Sequence, residues 1–138
     1  MMRRTAIERR VEERAVFRCE YCLMHQSLQG GTFHIEHVTP ESHGGATELE
    51  NLALACPSCN LKKSNHIDAV DPDTGDRVRL FNPRTDRWVD HYAWQDVQLR
   101  PLTAIGRVTA ALLDLNHPRR LRIRRAEAMF DLFPPIHE

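Results

Sequence analysis

Apolar residues recur along this chain with two periods, and the switches between them predict its elements. From about Thr5 to Arg18, Ile7, Val11, Ala15 and Phe17 return at helical spacing among Arg and Glu, which predicts an amphipathic helix. Thr5 with Glu8 three residues on has the form of a capping box. Phe33 to Val38 alternates instead, with β-branched Ile35 and Val38, so a strand is expected, ended by Pro40. Gly44-Gly45 marks a turn, and Leu49, Leu52 and Leu54 carry apolar residues back. Pro57, tolerated in a first helical turn, opens a short helix to about Ser64. Strand, return segment and helix make a small ββα unit.

Beyond Asn65 the pattern loosens. Asp71-Pro72-Asp73-Thr74-Gly75-Asp76 reads as a turn between short extended pieces, and Val78 to Phe81 as a strand broken by Asn82-Pro83-Arg84. Trp88 to Trp94 and Val97 to Leu99 look like another strand pair; Thr103 to Leu115 and Pro118 to Phe133 read as helices. The expected fold class is α+β. An N-terminal helix and the ββα core occupy residues 1–66, and a β-plus-helical extension over 67–138 packs on that core, too short to be an independent domain of ordinary size.

Composition changes this picture little. With 138 residues, 41% hydrophobic and 28% charged, the chain resembles an ordinary globular protein able to bury about two-thirds of its unfolded surface. No apolar stretch approaches the roughly 18 residues of a membrane span. Met1-Met2-Arg3-Arg4 leads into charge, not into the apolar region of a signal peptide; a cytoplasmic location is expected. A formal net charge of zero counts against a phosphate binder. Distribution softens that objection: Arg3, Arg4, Arg9, Arg10, Arg14 and Arg18 cluster at one end, and Arg119, Arg120, Arg122, Arg124 and Arg125 at the other. For the first helix, a solvated face of Glu/Arg pairs is the plainer account.

The four cysteines fall into two Cys-x-x-Cys pairs, Cys19/Cys22 and Cys56/Cys59. In a cytosolic protein that arrangement indicates a tetrahedral Zn site rather than two disulfides. Four protein ligands leave no open position for water, so this Zn would be structural. No βαβ pattern surrounds either pair, which argues against a thioredoxin-like redox role.

Hydrolysing a phosphodiester needs a base, a cation on the phosphate, and something to hold both in register. His37, neutral near pH 7, suits the base; Glu36 is a hard oxygen ligand for Mg²⁺ or Mn²⁺, and Asn60 can lend its amide carbonyl to the same ion. Asn51 can bond the loop or the ring that positions His37. On a regular strand, however, Glu36 and His37 point to opposite faces, while His34 and Glu36 share one. Either the strand bulges or ends here, the preferred reading, or His34 belongs to the site; His34 is otherwise a candidate phosphate contact or supporting group. Lys62 and Lys63 suit phosphate contacts, although a solvated helix end explains them almost as well. Trp88 and Trp94 read as packing residues, and His25, His43, His66, His91, His117 and His137 stand in no motif.

Cys-x-x-Cys, Glu36-His37-x-x-Pro40, Gly44-Gly45, Asn51-Leu52 and Cys-x-x-Cys-Asn-x-x-Lys follow one another between Cys19 and Ser64. In this the stretch resembles an HNH endonuclease of the His-Me finger, or ββα-metal, group. The resemblance implies a DNA endonuclease with His37 as general base, Glu36 and Asn60 on a catalytic divalent metal, and Asn51 as the supporting middle residue. Cleavage would leave a 5′-phosphate and a 3′-hydroxyl. Glu36 replaces the usual Asp, and Asn60 the frequent last His, a harder donor set that favours Mg²⁺ or Mn²⁺ over zinc. Leu80 to Arg84 and Trp88 resemble a C-terminal extension found in one bacterial group of these proteins. Two other readings stand beside the nuclease: a non-catalytic zinc module binding nucleic acid through its arginine-rich ends, and a zinc-stabilised protein-interaction domain, which zero net charge favours.

Overall fold

Helix α1 (Ala6–Arg14) of the computed structural model, which describes residues 4–135, starts on the capping box visible in the sequence. The Thr5 hydroxyl accepts from the Glu8 backbone N–H at 3.2 Å, and the Glu8 carboxylate accepts from that of Thr5 at 2.8 Å. The helix stops short of Arg18 because Val16 and Phe17 take positive φ, 53° and 60°, turning the chain into the first cysteine pair. Arg3 and His137 lie outside the described residues.

The chain divides into two compact units, Met1–Asn65 and His66–Glu138. In the first, β1 (His34–His37) pairs antiparallel with β2 (Leu52–Ala55) in unbroken register, His34 opposite Ala55 through His37 opposite Leu52. No extra residue bulges the strand; it simply ends at His37. All four β2 residues are buried, as expected of a strand covered on both faces. Helix α2 (Pro57–Lys63) follows at once, with Cys56 as its N-cap and Pro57 in its first turn. Val11, Tyr21, Met24, Phe33, Leu52 and Leu54 fill the interior.

In the second unit β3 (Asp68–Val70) and β4 (Arg77–Arg79) form a hairpin closed by a 2.7 Å bond from the Asp71 N–H to the Asp76 carbonyl. The expected strand through Phe81 ends at Arg79, because the Phe81 N–H turns to the Thr109 hydroxyl at 2.8 Å. Trp88 is also not in a strand. Residues Trp88–His91 form one helical turn, α3, which sets the Trp88 and Tyr92 rings 5.4 Å apart, the i,i+4 spacing of a helix face. Only then does β5 (Tyr92–Gln95) pair with β6 (Gln98–Pro101). Helix α4 (Ala104–Leu113) is capped by Thr103 and closed by Asp114 in the left-handed conformation. Helix α5 (Pro118–Met129) ends before the expected Phe133. No helix among the described residues is long and apolar enough to cross a membrane.

Candidate functional site

The four cysteines meet. All are buried and unoxidised, and their Sγ atoms lie within 4.8 Å of one another. The Cys22 and Cys56 sulfurs are 3.8 Å apart; Zn–S bonds of about 2.3 Å set tetrahedral sulfurs about 3.8 Å apart. Within each pair a backbone N–H points back at sulfur, Cys22 to Cys19 at 3.5 Å and Cys59 to Cys56 at 3.4 Å. Burial pushes the Cys19 and Cys22 thiols up, whereas hydrogen bonds from the other three cysteines draw Cys56 down. Donor set and geometry fit zinc. Glu20 pins the first pair to β2: its N–H donates to the Leu54 carbonyl at 2.8 Å, and its carboxylate accepts from the Leu54 N–H at 2.9 Å.

Beside this cluster, the two faces of β1 diverge. His37, the last strand residue, keeps about a quarter of its side chain exposed, with Nε2 2.8 Å from the Thr47 hydroxyl and 3.8 Å from the largely exposed Glu41 carboxylate. Among the described residues Nδ1 has no protein partner. A hydroxyl can donate or accept, so Thr47 can orient the ring in either tautomer. Glu36, one residue earlier, faces inward and is 7% exposed. Tyr21 Oη donates to one carboxylate oxygen and Lys63 Nζ lies 3.3 Å from the other. Burial pushes the Glu36 carboxyl up against the lowering pull of Lys63 and Tyr21; burial and the adjacent carboxylate push the Tyr21 hydroxyl up, keeping it a donor.

The Lys63 ammonium is 2% exposed and also donates to the Val38 carbonyl at 2.9 Å and to that of His37 at 3.3 Å. Its expected role as a phosphate contact is therefore corrected: a buried ammonium satisfied by a carboxylate and two carbonyls ties α2 to the end of β1 and does not reach a ligand in water. Lys62, the adjacent residue, is half-buried. His34 stands exposed at the opposite end of β1.

Asn51 bonds the loop rather than the ring. Its Oδ1 accepts from the Thr39 N–H at 2.8 Å, its Nδ2 donates to the Thr39 and Ala46 carbonyls, and its own carbonyl accepts from the Val38 N–H at 2.9 Å. The chain just after His37 is thereby fixed. Gly45 makes this approach possible, since a Cβ there would fall 1.8 Å from the Thr39 oxygen. Asn60 differs from Asn51: half-buried on α2, its side-chain amide makes no hydrogen bond among the described residues.

Residues 19–66 match the HNH endonuclease family. The matched stretch holds both cysteine pairs, β1, the Asn51 loop and α2, so the likeness to an HNH domain covers roughly a third of the chain. No curated protein and no solved structure matches the chain. Sequence reasoning missed Tyr21, Thr47 and Glu20. None carries a local signal, because each acts on a residue remote in the chain: Tyr21 on Glu36, Thr47 on His37, Glu20 on Leu54. Of the histidines outside the motif, His25 and His117 cap helical turns and His91 bonds the Thr103 hydroxyl at 2.6 Å.

Proposed function

We propose that the chain is a metal-dependent endonuclease hydrolysing DNA phosphodiester bonds, with His37 as the general base and 5′-phosphate and 3′-hydroxyl ends as products. What carries the reading is His37 itself, within the matched stretch: a part-exposed imidazole with one nitrogen on the Thr47 hydroxyl and, among the described residues, no protein partner on the other, as a base that takes a proton from water requires. Asn51 acts as a positioning residue, holding the backbone that follows the base.

Asn60 suits a hard divalent cation, Mg²⁺ or Mn²⁺, with an amide carbonyl not used elsewhere. As folded, Glu36 does not fit the same ion, since both its oxygens are engaged; it joins Asn60 only where the cation replaces the Lys63 ammonium. Such an ion would supply charge neutralisation at the phosphate. Zinc at the four sulfurs holds the scaffold, and DNA is the partner.

Supercoiled plasmid incubated with Mg²⁺, Mn²⁺ or no added divalent ion tests this, without a chelator that would also remove the zinc. Nicking is expected with either ion and not without one, and His37→Ala is expected to slow it by about 10²- to 10⁴-fold at unchanged melting temperature, the scale for losing a general base. Parental cleavage by His37→Ala would remove the base assignment.

A further inference from the structure

The five arginines of α5 divide by burial. Arg120 and Arg124 are inside, donating to the Leu113 carbonyl at 2.8 Å and to the Val97 and Leu115 carbonyls at 3.0 and 2.7 Å. Arg119, Arg122 and Arg125 are exposed. Their spacing of three residues sets them along one flank, each about 4.5 Å further up the helix axis.

Elsewhere many arginines are occupied, although Arg10, Arg87 and Arg100, exposed on three separate segments, make no such contact among the described residues. Arg77 pairs with Asp68 and Arg79 with Asp86, both at 2.8 Å or less; Arg107 grips Asp71. On and around α1, Arg4, Arg9, Arg14 and Arg18 donate to backbone carbonyls. The α5 trio has neither: among the described residues no carboxylate or carbonyl meets these three guanidinium groups. The one acid of the helix, Glu127, is buried, and no acid stands in its first turn. Three like charges at this spacing repel each other and the positive helix start, a cost that a polyanion would relieve.

We propose that this flank of α5 is a contact surface for the phosphates of double-stranded DNA. It deepens, and rests on, the reading of the chain as acting on DNA. Arginine's planar fork matches phosphate oxygens in pairs, and a row of forks suits an evenly charged backbone better than the scattered carboxylates of a protein. The flank supplies affinity without sequence preference.

The test is fluorescence anisotropy of a labelled DNA duplex against the full chain in chelator-free buffer without Mg²⁺ or Mn²⁺, across a series of salt concentrations. Replacing Arg119, Arg122 and Arg125 together by Gln is expected to flatten the slope of log affinity against log salt by about 2–3 and to weaken binding by roughly 10- to 100-fold at moderate salt. The triple Lys variant should keep most of the slope, and Arg77→Gln all of it. Unaltered melting of the Gln variant establishes that its fold survives. An unchanged slope, a parent that shows no salt-dependent duplex binding, or a slope change seen with RNA but not DNA overturns the proposal. The nuclease reading fails separately: a flattened slope with a parent that never cuts plasmid leaves this surface standing, and a cutting parent with an unchanged slope removes the surface alone.

Discussion

In Met1–Asn65 buried polar side chains meet at two points, the four cysteine sulfurs and the Tyr21–Glu36–Lys63 group. In His66–Glu138 they are spread along the framework: Arg120 and Arg124 reach the carbonyls that end α4 and line the β5–β6 turn, and Arg124 also lies 5.2 Å over the Trp94 ring. The large rings belong mostly to the second unit, where Phe81, Trp88, Tyr92, Trp94 and Phe133 stack within 5.5 Å of a neighbour. The first unit has few such side chains and relies on a point of coordination. One unit is thus built to hold a site and would fail at that point; the other is built as packing and should fail gradually.

Removing zinc is the severest test of the contrast. Structural zinc in small domains contributes an apparent ~10–16 kcal/mol, so chelation or Cys56→Ser is expected to unfold the first unit and lose far-UV circular dichroism. Both tryptophans, Trp88 and Trp94, lie in the second unit, and their emission should stay as it was. A zinc-free Cys56→Ser that melts like the parent would refute the structural role of the sulfurs.

Next in size, Lys63→Met leaves the buried Glu36 carboxylate without its cation and should cost about 3–5 kcal/mol, read from denaturant unfolding. Adding Glu36→Gln should recover much of the loss. No recovery would mean that Lys63 matters for its carbonyl bonds and not for its charge. In the second unit, Arg124→Met strands the Val97 and Leu115 carbonyls; about 2–3 kcal/mol is expected, with a shift in Trp94 emission that the first-unit variants do not give.

The smallest effect is acid sensitivity of the second unit. The Arg107 guanidinium beside Asp71, with the Asp73 N–H and the Thr74 hydroxyl, holds the Asp71 carboxyl well below the usual carboxylate range. A carboxyl depressed in the fold adds stability above its unfolded value, near 3.9, and loses it as pH falls toward the folded value. Tryptophan-monitored stability should therefore fall below about pH 4, and less steeply in Asp71→Asn. Equal acid loss in the two proteins would take Asp71 out of the account.

Much of the site was legible because its parts are short motifs with local geometry. Thr5 and Glu8 form the capping box their spacing predicts, Pro57 opens a helix, and both Cys-x-x-Cys turns bring their sulfurs together. Trp88 was misread because alternation over a few residues cannot tell a strand from one helical turn followed by a strand. Lys63 was misread because a lysine at a helix end looks solvated unless one knows that Glu36 and two carbonyls wait for it across the chain.

By itself, then, the sequence determined what depends on neighbours a few residues apart: the cysteine pairs, the Thr5–Glu8 capping box and the helix that Pro57 opens. Tertiary structure alone decided which charges face water. Lys63 and Arg124 went inside while Arg119, Arg122 and Arg125 stayed out, because burying a charge requires acceptors that converge from distant segments, and no local pattern records where those acceptors will be.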